Sequence, residues 1–137
     1  MGARFAKALP LIPAILAAAL ASCEDKPRIE GNIIRQVSRP SGEVEAVISD
    51  SSGGATVSFS YHVYVRGTAG DDWPQEVLFT YRSGPPAVHW EGKKVLVVSV
   101  ACGEIWKFAN FAGVAPAGGP ERIFVKLENP QLDCTAR

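Results

Sequence analysis

The residues of this chain whose types can carry chemistry are two histidines, three cysteines and an acidic loop pair, Asp71-Asp72. General acid–base or nucleophilic catalysis needs a histidine within reach of a nucleophile and of a carboxylate that orients it. His62 falls on the polar side of an alternating stretch and His89 precedes Trp90, and neither has a Ser, Cys or Asp partner at a readable spacing. A lone histidine on a strand is usually a surface or satisfied residue. Metal binding fares no better, because the chain has no His-x-His, no HExxH and no CxxC. Asp71 and Asp72, near Glu76, offer oxygen ligands without EF-hand spacing, which reads as a solvated loop. Gly53-Gly54 lacks the lysine and the strand–loop–helix context of a phosphate cradle. The expectation is no catalytic residue, no cofactor, no metal site and no enzyme. A cleft joining His62 or His89 to a carboxylate would reverse it.

Aromatic residues are the better candidates for recognition, since they anchor interfaces. Trp73 and Phe111 lie in loop-like sequence and are the candidate partner contacts. Trp90 and Trp106 sit in strand-like surroundings, where core packing is expected.

The elements that must position these residues are strands. Thr56 to Arg66 alternates with period two: Val57, Phe59, Tyr61, Val63 and Val65 against Thr56, Ser58, Ser60, His62 and Tyr64. Glu43 to Ile48 puts Val44, Ala46 and Ile48 on one face, and Ser51-Ser52-Gly53-Gly54 joins the two stretches as an antiparallel hairpin. Glu76–Arg82, Ala87–Trp90, Glu104–Phe108 and Arg122–Glu128 read as further strands, and the continuous apolar run from Lys94 to Ala101 reads as a central one. Residues 109–120, rich in Ala, Gly and Pro, read as a loop around Phe111. No helical period follows residue 22. The expected fold is all-β, a small antiparallel sandwich or partly closed barrel of about six to eight strands.

The amino-terminal stretch has a different character. Arg4 and Lys7 precede an uncharged run from Ala8 to Ala21, the n-region and h-region of a secretory signal. The run is too short to cross a bilayer, and Pro10 and Pro13 oppose one long helix. It ends in Leu20-Ala21-Ser22-Cys23, which resembles the lipobox of bacterial lipoproteins. The resemblance implies cleavage before Cys23 and lipidation of its thiol, and thus a protein held to a membrane of the cell envelope, facing the periplasm. Glu24 is not the Asp associated with inner-membrane retention, which favours the outer membrane. The domains expected are a signal peptide over 1–22, a lipidated tether over 23–38 and a β-rich domain over 39–137. If residues 24–40 were all flexible, they would reach roughly 20–25 Å, although Ile29, Ile33, Ile34 and Val37 offer a first short strand or turn of helix packed on the domain.

The precursor carries 14 basic and 14 acidic residues. Removing residues 1–22 takes away Arg4 and Lys7, leaving 12 basic against 14 acidic. That balance excludes a nucleic-acid footprint and supplies no polybasic patch, so any membrane attachment falls to the lipid. With Cys23 lipidated, Cys102 and Cys134 remain as an even pair in an oxidising compartment, and a disulfide between them is expected. Closing that loop contributes about 3–4 kcal/mol in the chain-entropy model.

A second resemblance covers residues 39–108. Arg39-Pro40-Ser41-Gly42-Glu43-Val44-Glu45-Ala46-Val47, followed by Gly53-Gly54-Ala55-Thr56-Val57-Ser58-Phe59-Ser60, resembles small bacterial lipoproteins with an "SPDGxxxAV" opening and a "GGATTxFS" hairpin. Val88-His89-Trp90, Lys94-Val95-Leu96-Val97 and Cys102-Gly103-Glu104-Ile105-Trp106-Lys107-Phe108 continue it, and Pro40-Ser41-Gly42 departs from it by lacking the Asp. It implies a β-fold and no activity. Ser52-Gly53-Gly54-Ala55 also resembles the Ser-Gly-x-x loop of β-barrel lipoproteins that inhibit lysozyme, without the Tyr spacing expected there. The functional expectation is a lipid-anchored binding module for an envelope protein or cell-wall polymer, with a periplasmic hydrolase inhibitor as the alternative.

Overall fold

The computed structural model describes residues 27–51, 58–69 and 72–128. These residues hold nine strands and no helix: β1 (Asn32–Ser38), β2 (Val44–Ser51), β3 (Ser60–Gly67), β4 (Gln75–Tyr81), β5 (Ala87–Glu91), β6 (Val95–Ser99), β7 (Glu104–Phe108), β8 (Phe111–Val114) and β9 (Glu121–Glu128). They form two sheets, ordered β1-β2-β3-β4-β7 and β5-β6-β9-β8. The sheets face each other as a sandwich, and no barrel closes.

Alternation explains the core. Val44, Ala46 and Ile48 of β2 stand opposite Gly67, Val65 and Val63 of β3, and all of these except the glycine join one buried cluster. Val77 and Leu78 of β4 extend it. The facing sheet contributes Val88, Leu96, Val98, Ala112, Val114, Ile123 and Val125. The apolar run from Lys94 to Ala101 is central as expected, because β6 lies between β5 and β9. Its pairing with β9 is parallel, unlike the other pairings of either sheet.

Three expectations are corrected. β1 is the edge strand of the larger sheet, in register with β2 from Asn32↔Asp50 to Ser38↔Glu45, so the chain joins the domain inside the stretch read as a tether over 23–38. At its entry Gly31 has φ +76°, and a Cβ there would run into the Asp50 carbonyl. Only glycine takes both that backbone angle and that approach without strain. The alternating stretch pairs as a strand from Ser60 to Gly67, leaving Phe59 57% exposed; Thr56 and Val57 lie outside the described residues. Residues 111–114 form β8 rather than loop, because Ala112 and Val114 turn into the core while their backbone pairs with Ile123 and Glu121. With nine strands among the described residues, the expected small all-β sandwich stands.

Arg39 closes the sandwich at one end. Its backbone makes the β1–β2 turn, with the Gly42 N–H donating to the Arg39 carbonyl at 2.8 Å. Its side chain, 4% exposed, pairs with Glu43 at 3.1 Å and with Glu121 at the start of β9, and donates to the Lys93 carbonyl at 3.0 Å. One guanidinium thereby holds a turn of each sheet. Removing one partner of a buried ion pair costs about 3–5 kcal/mol, and less where the partners keep some water. Arg39→Ala is expected to lower unfolding free energy by about 2–3 kcal/mol in urea titrations. Arg39→Lys should recover only part of it, since a single ammonium cannot reproduce the planar fork.

Candidate binding face

The outward face of the larger sheet carries the densest polar and aromatic cluster among the described residues. Because β3 alternates, His62 and Tyr64 point away from the core that Val63 and Val65 enter. The register sets His62 opposite Phe79 of β4 and Tyr64 opposite Glu76, with an irregularity between Val63 and Tyr64. Phe79 in turn faces Lys107 of β7. The His62 ring stacks on Phe79, with centroids 4.5 Å apart and planes 5° from parallel, and more distantly on Tyr64 at 5.9 Å. Trp106 meets Phe79 edge-on at 5.7 Å and Tyr81 at 5.2 Å, and Arg82 lies 5.3 Å from the Tyr81 ring centre.

Glu76 is the polar hub. Its Oε1 lies 2.5 Å from His62 Nδ1, and its Oε2 accepts from Lys107 Nζ at 2.6 Å. Burial would raise the Glu76 carboxyl pKa, but the hydrogen bonds and charges of Lys107 and His62 outweigh it and hold the group below its ordinary 4.5. An ionised carboxylate only accepts, so His62 Nδ1 donates to it. Burial, and the nearby Glu76 and Glu30 carboxylates, push the Tyr64 hydroxyl pKa up, although the Glu30 N–H, which donates to Tyr64 Oη at 3.2 Å, acts the other way. Pro27, Arg28 and Glu30 lie alongside Tyr64, Glu76 and Lys107 around an open cleft of about 370 Å³.

His62 is not the solvent-facing residue that the alternation implies. It is 3% exposed, and its Nε2 lies 3.0 Å from Ser51 Oγ. Ser51, His62 and Glu76 therefore stand in the order of a nucleophile, a base and an orienting carboxylate. Two features oppose turnover. The imidazole is buried flat against Phe79. The Ser51 hydroxyl is also bonded to Ser60 Oγ at 2.6 Å, and Ser60 Oγ donates to the Ser51 carbonyl at 2.7 Å.

The remaining candidates are dispersed. Trp106, expected in the core, is 62% exposed on the edge strand β7, with its indole N–H donating to Glu104 at 3.0 Å. Trp90 packs against the core as expected, its N–H donating to the Val37 carbonyl at 2.9 Å. His89 is exposed, 3.7 Å from Glu91. Phe111 is 50% exposed on β8, with Arg122 4.8 Å from its ring centre. Trp73 is 37% exposed. Its neighbour Asp72 lines the same cleft as Phe111, of about 450 Å³. The Asp72 carboxylate accepts from the N–H groups of Gly67 and Ala115 and so fastens loops together. No three His, Cys, Asp or Glu side chains among the described residues are grouped to hold a metal ion. Cys102 is disulfide-bonded, while Cys23 and Cys134 lie outside the described residues.

The Glu76 hub and the exposure of Trp106 were both missed in sequence, where Glu76 read only as a neighbour of an acidic loop. No protein-family model, curated protein or solved structure matches this chain.

A carboxyl whose pKa is depressed on folding stabilises above its unfolded value, and that contribution is lost as pH falls through the folded value. Denaturant midpoints should therefore fall as the pH drops below about 4.5, the ordinary value for a glutamate. Glu76→Gln should lower stability at pH 7 and flatten that acid limb.

Proposed function

We propose that this protein is a lipid-anchored component of the bacterial cell envelope, acylated at Cys23 after removal of residues 1–22, whose β-sandwich is a non-catalytic binding module. Its anchor faces the periplasm, on the outer membrane for preference, since Glu24 is not Asp. A Cys102–Cys134 disulfide staples the domain in that oxidising compartment. The partner is an envelope protein or a cell-wall polymer, and the lipobox resemblance supports the location.

One observation carries the binding reading: Trp106. A large aromatic left 62% exposed on a sheet edge, braced by Phe79 and Tyr81 and flanked by Glu104, Lys107 and Arg82, contributes nothing to the core. Rigid aromatic anchors with a charged surround are the residues that dominate interfaces. Crosslinking the lipidated protein in its own cells, followed by mass spectrometry, should return one dominant envelope species. Trp106→Ala should reduce its capture at least about tenfold, as expected on losing an aromatic hot spot. Its thermal midpoint should stay close to that of the parent. Unchanged capture would remove Trp106 from the binding face.

A second reading, hydrolysis through Ser51, His62 and Glu76, is favoured by their contact geometry alone. A fluorophosphonate probe decides it. Labelling of the parent that disappears in both Ser51→Ala and His62→Gln would establish an active serine, and no labelling leaves the network structural.

A further inference from the structure

If the domain hung on a long flexible tether, the anchor would say nothing about its orientation. The chain is instead laid onto the sandwich almost at once. Pro27, Arg28 and Glu30 line the cleft beside Tyr64, Glu76 and Lys107, the Glu30 N–H is bonded to Tyr64 Oη, and Gly31 turns the backbone into β1. Four residue steps separate Cys23 from Pro27. Even fully extended they span at most about 14 Å, at roughly 3.3–3.6 Å per residue. A lipid on Cys23 therefore holds this cleft within about 14 Å of the point where acyl chains leave the bilayer.

That end of the domain presents groups suited to such a place. Pro74 lines the same cleft as Pro27 and Arg28, and Trp73 precedes it, 37% exposed. An indole has an apolar body with one polar N–H and settles in the headgroup layer between hydrocarbon and water. The charges along the cleft are balanced, with Arg28 and Lys107 against Glu30 and Glu76, so attraction to anionic lipid contributes little and the aromatic contact matters more. Trp106 is placed differently. It packs on Phe79 and Tyr81 and precedes the cleft residue Lys107, and Phe79 lies six residues beyond Trp73, roughly 20 Å along an extended chain.

Building on the lipidated-anchor reading above, we propose that the end of the sandwich formed by Pro27, Arg28, Trp73 and Pro74 docks on the phospholipid bilayer surface, with Trp73 in the headgroup layer. The acyl chains and Trp73 then make two separated contacts, which fix the domain's orientation.

The test uses the full lipidated chain, purified from its host membrane and reconstituted in phosphatidylethanolamine–phosphatidylglycerol vesicles containing a lipid with a nitroxide near the headgroup. Mass spectrometry of the amino-terminal peptide reports the acyl group independently. Quenching of tryptophan emission is expected in the parent and in Trp106→Phe, and its loss is expected in both Trp73→Phe and Trp73→Tyr. Circular dichroism melts matching the parent would show these variants folded. An acylated Cys23 with quenching unchanged in the folded Trp73 variants, or with quenching carried by Trp106, overturns the docking and leaves the anchor standing. A Cys23 peptide without acyl mass overturns both.

Discussion

A single buried guanidinium ties the two sheets at one end of the sandwich. Arg39 belongs to the β1–β2 turn, yet its partners include the Lys93 carbonyl after β5 and the Glu121 carboxylate at the start of β9. Burying a charge is tolerable only where partners replace the water it loses. The side chain finds them on both sheets, although its Nε has none among the described residues. Ion pairs of this kind define geometry more than they add stability. Here the geometry is the relative position of the turn that ends β1 and the strand that runs parallel to β6 at the centre of the smaller sheet.

The larger sheet is buried on both faces at its middle. Val63 and Val65 of β3 enter the core, while His62 and Tyr64 are just as hidden on the other side. Among the described residues no second layer of secondary structure covers that outer face. Its own long side chains do: Tyr64, Phe79, Glu76 and Lys107 close over the imidazole, and the segment entering β1 lies along one border. In so water-poor a site a half-satisfied histidine would be costly. The Ser51–His62–Glu76–Lys107 chain satisfies both ring nitrogens. Its resemblance to a catalytic relay follows from that same requirement, since a buried imidazole needs one partner at each nitrogen whether or not it works. The same face ends in the exposed Trp106, so a rigid, self-covered platform leads to one accessible aromatic.

Much of the architecture was legible because period two is a local property. Val44, Ala46 and Ile48 share a face for the same reason in the sequence as in the fold, and the apolar run through Val98 announced an interior strand. The errors have a common physical origin. Alternating neighbours point Trp106 toward the core, but β7 is an edge strand with an irregular register against β4, and an edge buries less. The Gly and Pro around Phe111 spell a loop, whereas the small Ala112 and Val114 fit the confined space against β3 and β4. The composition before residue 39, with polar residues among Ile33, Ile34 and Val37, fits a tether and an exposed edge strand alike, and pairing with β2 decides between them.

By itself, then, the sequence determined the all-β class, the inward-facing residues of the longer strands and the lipobox-like segment at Cys23, because each depends on residues adjacent in the chain. Tertiary structure alone decided which strands become neighbours. It brought Glu76 to His62 across 14 residues and Lys107 to Glu76 across 31, joined Arg39 to Glu121 across 82, and left Trp106 in solvent. Those outcomes follow from sheet order, register and edges, which are set by long-range pairing and by the closing of one sheet over another.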